Sequence, residues 1–203
     1  MLLATIVGGI SLGFLYGLVG LTLILLVRTT GVLNFAAADV GMLCAFVAFA
    51  GLTQWGLPAG AALALAALFS LLLGMLVYSG IILVRAADPL MLSLRTLGLL
   101  IIVRALAFKI WGANAPYAFP HIIPDGSLAL FGLNLSYTQL GVIVFALLVA
   151  LAVGWLTEGT RIGLMLRAVS ADREAAADLG VAIIRVDLVA WCMATLVSGV
   201  VGI

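Results

Sequence analysis

Charged residues are scarce in this chain, and their scarcity excludes an ordinary water-soluble domain. Only 8% of the 203 residues are Asp, Glu, Lys or Arg, whereas 66% are hydrophobic. A soluble domain carries roughly 25% charged residues, because it must cover its outside with polar groups. The net charge of +1 gives no reason to expect nucleic acid as a partner. The composition therefore predicts an integral membrane protein whose main solvent is the lipid bilayer.

The chain also lacks most of the residues that carry enzyme chemistry. It has one histidine (His121), one lysine (Lys109) and two cysteines, Cys44 and Cys192, which lie in apolar runs without C-x-x-C spacing. A lone histidine supplies neither a metal cluster nor a base for the serines of the apolar runs. The sequence around Lys109 is not a phosphate-binding loop of the G-x-x-x-x-G-K-[ST] type. We therefore predict no catalytic, metal or cofactor site, so another chain would have to hydrolyse any ATP.

Long apolar runs predict an all-α, polytopic transmembrane helix bundle with about six spans in one domain, residues 1–203. A helix needs about 20 apolar residues to cross the bilayer at 1.5 Å per residue. The apolar runs are 2–27, 40–52, 58–84, 94–111, 138–156 and 188–203. A cleaved signal peptide fits the first run poorly, because no basic segment precedes it. The last run is short and ends without polar residues, so we expect the chain to be a fragment of a longer protein.

Three polar residues in or beside these runs are candidates for a translocation path: Asn34, Asp39 and Arg104. Residues 28–39 are either a surface loop, with the second helix beginning near Leu33, or a segment that dips into the membrane. Arg104 lies in the middle of a span, where its cost is roughly 2.5–3.5 kcal/mol, so it needs water or a partner from another segment. Such residues tend to face a bundle interior or a watery cavity.

One polar segment, residues 158–187, holds nine of the seventeen charged residues. Ser170 could cap a short helix over 171–179, with Asp172 and Glu174 in its first turn, where carboxylates favour the positive end of the helix dipole. Gly180 is well suited to the left-handed position that ends such a helix. The segment is thus predicted to carry a short helix.

An apolar ridge is predicted on that helix, because Ala175, Ala176 and Leu179 would share one face. A slim ridge of this kind can enter a groove on a soluble partner. The alternative is an amphipathic helix that lies on the lipid surface, and the spacing does not separate the two.

The placement of arginines predicts the orientation of the chain. Arg28, Arg85, Arg95 and the arginines of the polar segment (Arg161, Arg167, Arg173 and Arg185) fall on one side of six spans. The opposite loops, 53–57 and 112–137, contain no lysine or arginine. Because loops rich in Lys and Arg stay in the cytoplasm, we expect the N-terminus outside and residues 158–187 in the cytoplasm.

Three separated motifs resemble the branched-chain amino-acid permease family of ABC importers. Residues 159–181, GTRIGLMLRAVSADREAAADLGV, resemble the family's ATPase-docking loop through E-A-A-x-x-x-G at 174–180. Residues 31–39, GVLNFAAAD, resemble its G-x-x-N-F-A-H-G-D motif, although Ala37 and Ala38 replace the His-Gly pair. Asp-Pro-Leu at 88–90 with Thr-Leu-Gly-Leu-Leu at 96–100 resembles its next landmark. Members of the family are also longer than this chain.

The resemblance implies a non-enzymatic permease subunit of an ATP-driven importer in the bacterial inner membrane. It implies cytoplasmic ABC ATPase subunits, a second permease subunit and a periplasmic substrate-binding protein as partners. The ATPase-coupling residues would be Arg167, Arg173, Glu174, Ala175, Ala176 and Gly180. The substrates would be branched-chain amino acids, although related importers carry amides or urea.

Two other functions remain open at this point. A stand-alone secondary transporter or channel for a small polar solute would use Asn34, Asp39 and Arg104 as a membrane-depth site and need no ATPase. A structural membrane subunit without a pathway is the third reading, and it would leave Asp39 and Arg104 unexplained.

Overall fold

The computed structural model describes residues 2–82, 88–112, 126–130 and 133–203, and this part of the chain is mostly helical. The helices are α1 (Leu2–Thr30), α2 (Ala37–Thr53), α3 (Ala59–Val77), α4 (Pro89–Trp111), α5 (Tyr137–Gly159), α6 (Arg161–Ala171), α7 (Arg173–Asp178) and α8 (Ile183–Gly202). A π-helical turn, Tyr78–Ile82, continues α3. His121 and Arg85 lie outside the described residues.

Five of the described helices are long and apolar enough to cross a membrane, which confirms the predicted polytopic all-α bundle. The five stretches are Ile6–Thr30, Ala59–Gly80, Pro89–Trp111, Tyr137–Gly159 and Ile183–Gly202, and α2 is a shorter apolar helix of 17 residues. Two predicted boundaries were wrong. Helix α4 begins at Pro89 and not at 94, because proline is well suited to the first turn of a helix. Helix α8 begins at Ile183 and has 20 residues, so its first turns include the end of the polar segment.

The connection between α4 and α5 was predicted only as non-helical, and it contains a small antiparallel hairpin. Strands β1 (Ser127–Leu130) and β2 (Leu133–Ser136) pair Ser127 with Ser136 and Leu130 with Leu133. The hairpin runs directly into α5, because Ser136 Oγ accepts a hydrogen bond from the N–H of Thr138 (3.3 Å) and so caps that helix.

Helix α8 is the central helix of the bundle and packs against α1, α2 and α3. Its neighbours approach through glycines. A Cβ atom added to Gly41 of α2 would lie 2.5 Å from the carbonyl oxygen of Ser198, and one added to Gly74 of α3 would lie 2.3 Å from Thr195 Oγ1. Small residues favour helix association in lipid, where contact between apolar side chains alone gains little. Glycines on its neighbours, together with Gly199 and Gly202 of α8 itself, therefore set how closely α8 packs.

The largest buried cluster surrounds Trp191 of α8, which is fully buried, at the level where α1 ends and α4 and α8 begin. It draws residues from spans and short helices alike: Leu26, Val32, Val77, Tyr78, Leu92, Leu166, Val169, Ala176, Val186, Ala190 and Ala194. Because α6 and α7 contribute Leu166, Val169 and Ala176, the polar segment shares its hydrophobic core with the spans.

Candidate functional site

The polar segment folds into two consecutive helices, α6 and α7, which together with the turn after them form the α6–α7 corner (residues 160–181). The chain turns from α5 into α6 at Thr160, and Gly163 in the first turn of α6 lies against the end of α5. A Cβ atom there would lie 2.2 Å from the carbonyl oxygen of Thr157, so a side chain does not fit without a backbone shift. Thr160 Oγ1 caps α6 by accepting a hydrogen bond from the N–H of Gly163 (3.1 Å). Glycine and threonine thus set the angle at which the corner leaves the bundle.

Helix α7 is shorter than predicted, and a different residue caps it. Asp172 Oδ1 accepts hydrogen bonds from the N–H groups of Glu174 and Ala175, both 3.0 Å, whereas Ser170 lies inside α6 and donates to the carbonyl of Leu166 (2.8 Å). The predicted Ser170 cap was therefore wrong, because Asp172 has the extended backbone that a cap requires (φ −154°, ψ 110°).

The predicted role of Gly180 as the residue that ends this helix is confirmed. Gly180 has a φ of +84°. Its N–H donates to the carbonyl of Ala177 (2.9 Å), and the N–H of Val181 donates to that of Ala176 (3.0 Å). These two bonds form a Schellman motif, for which glycine is the usual left-handed residue.

The two sides of α7 have different environments, which corrects the predicted ridge. Ala176 is only 3% exposed and belongs to the cluster around Trp191, whereas Leu179 is 85% exposed and Ala175 is also exposed. Ala176 therefore holds α7 against the bundle and is not part of an exposed ridge with Ala175 and Leu179. A bulky residue at position 176 would first disturb the protein's own core.

Arg173 joins α7 to two spans. Its Nη1 donates to the carbonyl oxygen of Thr29 at the end of α1 (2.9 Å) and to Asp187 Oδ1 on α8 (3.1 Å), and its Nη2 pairs with Asp187 Oδ2. The Asp187 side chain is 6% exposed and that of Arg173 is 47% exposed. A bidentate arginine–carboxylate pair fixes both distance and angle. Movement of α7 is therefore tied to the facing ends of α1 and α8.

The outward side of the corner carries charge of both signs and one large apolar side chain. Glu174 and Asp178 are exposed beside Leu179. Arg167 is exposed on α6, with its Nη2 3.5 Å from the carbonyl oxygen of Glu158. This is the surface that a partner protein can reach.

A second polar feature lies within the spans, where residues 31–36 pack along the first turns of α4. The N–H of Leu33 donates to Ser93 Oγ (2.9 Å), and the N–H of Phe35 donates to Thr96 Oγ1 (3.0 Å). The two hydroxyls lie about 6 and 10 Å along α4 at 1.5 Å per residue. Irregular backbone that is shielded from water requires hydrogen-bond partners within the protein. The stretch is therefore anchored within the protein against α4, and it is here called the embedded stretch in that sense. The next helix begins at Ala37 and not near Leu33.

Asn34 shapes this embedded stretch. Its Oδ1 accepts a hydrogen bond from the N–H of Ala36 (3.1 Å), and the residue is 3% exposed. The amide thus closes the turn that leads into α2, which is a common local use of an asparagine side chain.

Asp39 and Arg104 form an ion pair between α2 and α4, here called the midspan pair. Arg104 Nε donates to Asp39 Oδ1 at 2.9 Å. Arg104 lies about 22 Å along α4, which is about 34 Å long. Asp39 lies in the first turn of α2, where the helix dipole also favours a carboxylate. The pair supplies the partner from another segment that Arg104 was predicted to need.

Sequence patterns found Asp39 and Arg104 but not the residues that hold the candidate sites in place. Asp187, Ser93 and Thr96 were missed as partners. A carboxylate at the edge of an apolar run, as at Asp187, was the available signal. The hydroxyl groups gave none, because serine and threonine are common in membrane helices.

The spans, the ion pair inside them and the exposed corner outside them are typical of a transport permease subunit, a multi-pass membrane protein. The chain belongs to the family described as branched-chain amino acid transport system / permease component, whose family model matches residues 5–203. No curated protein matched the chain, and no solved structure did.

Proposed function

We propose that this chain is the permease subunit of an ATP-driven ABC importer of branched-chain amino acids in the bacterial inner membrane. A cytoplasmic ABC ATPase would dock on the α6–α7 corner. A second permease subunit would complete the pore, and a periplasmic binding protein would deliver the substrate. One observation carries the proposal: α7 exposes Leu179 outward while its opposite side is fixed to the spans through Arg173 and Ala176.

The geometry supports a mechanical coupling in which α7 transmits a push from the ATPases. The push reaches α1 and α8 through the Arg173 contacts with Thr29 and Asp187. Helix α8 in turn packs against α2 and α3, so its displacement shifts most of the bundle. ATP binding can drive this change only if the ATPases contact α7 differently in their two states. We therefore assign contact to Glu174, Ala175 and Leu179, and transmission to Arg173 and Ala176.

The remaining predicted coupling residues fit the same proposal. Gly180 shapes the end of α7, so we infer that it sets the direction in which Leu179 projects. Arg167 is exposed on α6, so it is available to orient an acidic group of the partner. A complementary groove on the ATPase would have an apolar pocket for Leu179 and basic groups near its rim, because Glu174 and Asp178 flank Leu179.

The test is capture of ABC ATPase subunits by the tagged, membrane-extracted permease. The proteins are co-expressed, and Leu179→Asp and Ala175→Trp are compared with the wild type. Both variants change exposed side chains, so the protein should remain in the membrane but lose the ATPases. Trp55→Asp is the control, because Trp55 is an exposed apolar residue (59%) in the loop predicted on the opposite side of the membrane, and its replacement should not affect capture.

The alternative function, a secondary transporter for a small polar solute, is favoured by the midspan pair alone. It predicts ion-coupled flux in liposomes that contain only this protein. Failure of the wild type to capture any ATPase, together with such flux, would replace the importer proposal with this one.

A further inference from the structure

The arginine of the midspan pair has unused hydrogen-bonding capacity. A guanidinium group carries five N–H donors, and Nε is the one that binds Asp39. Among the residues that the structure describes, Asp39 is the one hydrogen-bond and ion-pair partner of Arg104, whose side chain is 54% exposed. Asp39 is 4% exposed, so it is covered while the arginine is open. The edge formed by the two Nη atoms is therefore available to a ligand.

A lipid environment is unfavourable for the free Nη atoms of Arg104. Charged donors in hydrocarbon need a polar partner or water, and arginine within spans generally faces a cavity or a bundle interior. Arg104 lies at the border of two surfaces of α4. Val103 and Ala107 beside it are buried against Leu43 of α2, whereas Ile101 and Phe108 are exposed. The arginine thus sits at the seam between α2 and α4, and this seam must meet water or a polar group.

We propose that Arg104 binds the carboxylate of the transported amino acid and that Asp39 is the residue that positions it. This inference rests on the proposed function and deepens it. The free Nη edge matches a carboxylate through two parallel hydrogen bonds, which a neutral amide or urea cannot reproduce. Of the ligand classes left open by the sequence, the geometry therefore selects the one with a carboxylate.

The charge balance also suits a zwitterion. Asp39 neutralises Arg104, so the pair itself carries no net charge. An amino acid is neutral overall, so its arrival leaves the balance unchanged, whereas a simple organic acid would add a net negative charge beside Asp39. Asp39 holds Nε and thereby aims the Nη edge outward.

The support for Asp39 comes from the embedded stretch before α2. Asn34 closes the turn into the helix, and Thr96 anchors the backbone of Phe35. Asn34 therefore acts on the ligand indirectly, by fixing where the first turn of α2 begins. The three candidate path residues then have distinct roles, in which Arg104 alone touches the substrate.

The experiment measures ligand binding to the permease in lipid nanodiscs without the binding protein, which would impose its own selectivity. Saturation-transfer NMR detects weak binding of leucine, leucinamide and isoamylamine. We expect leucine to bind the wild type more than about tenfold better than either analogue, since charged hydrogen bonds are lost with the carboxylate. Arg104→Gln should abolish this preference. Lys109→Gln, which removes a cation near the end of α4, should leave it intact.

A second readout separates substrate recognition from support of the fold. The double variant Asp39→Asn/Arg104→Gln keeps a neutral hydrogen-bonded pair, so a purely structural role predicts recovery of ATP-driven leucine uptake. Recognition predicts that uptake stays low and that Arg104→Lys restores only part of it. Recovery in the double variant, or equal binding of leucinamide by the wild type, would overturn the inference. ATPase capture, measured separately, reports on the proposed function and should be unchanged by all four variants.

Discussion

Replacing Arg173 by alanine tests whether α7 is mechanically joined to the spans. The change removes the contacts of the guanidinium with Thr29 O and with both carboxylate oxygens of Asp187. Asp187, only 6% exposed, would then keep a carboxylate without its partner. Breaking a fully buried pair costs about 3–5 kcal/mol. Because Arg173 is 47% exposed, water can enter and replace part of the loss, so we expect about 2 kcal/mol.

This loss should be visible as a lower melting temperature of the detergent-purified permease. A change of about 2 kcal/mol in a chain of this size corresponds to roughly 4–8 °C. Arg167→Ala is the matched control, because Arg167 is exposed and makes one long contact. The control should shift the free energy of unfolding by less than about 0.5 kcal/mol.

A double-mutant cycle with Asp187→Asn isolates the pair itself. Each single variant leaves one partner unsatisfied, so the double variant should be less destabilised than the sum of the two. Functionally, Arg173→Ala should still capture ATPases but lose the link between ATP hydrolysis and leucine uptake. A wild-type melting temperature for Arg173→Ala, or additive effects in the cycle, would refute the reasoning.

Two further substitutions test, in the same thermal assay, the packing of α2 on α8 and the anchoring of the embedded stretch to α4. Gly41→Ala places a Cβ atom 2.5 Å from the carbonyl oxygen of Ser198 and should lower the free energy of unfolding by about 1–3 kcal/mol. Gly98→Ala on α4, with open space around it, is the control and should not destabilise the protein. Equal melting temperatures for the two variants would contradict the close α2–α8 contact. Thr96→Val removes the acceptor for the embedded stretch and should cost about 1–3 kcal/mol. Its control is Ser79→Ala, an exposed hydroxyl bonded within its own turn, and a Thr96→Val protein as stable as this control would argue against the embedded stretch.

The spans were predictable because a bilayer imposes a minimum length on any apolar helix that crosses it. The helix over 171–179 was only partly predictable. The left-handed Gly180 follows from local backbone chemistry, but Ser170 and Asp172 are both good capping residues, and the angle between α6 and α7 decides which one caps. That angle depends on how Ala176 fits the cluster around Trp191, which no local pattern reveals.

Residues 28–39 were ambiguous for the same physical reason. The backbone groups of this stretch are satisfied by Ser93 and Thr96, sixty residues further along the chain. Composition alone therefore cannot tell an embedded segment from a surface loop. The pairing of Asp39 with Arg104 is likewise non-local, although the need of Arg104 for a partner was evident from its place within a span.

The central position of α8 has a consequence for synthesis of the protein. About 130 residues separate the end of α2 from the start of α8. At about 5–20 residues per second, the ribosome needs roughly 7–26 s to add them. Until then Gly41 and Gly74 lack the helix that fills their grooves. Asp39 waits for less time, because Arg104 follows it by 65 residues. During that interval the early helices depend on lipid or on the insertion machinery to shield surfaces that the finished permease buries against α8.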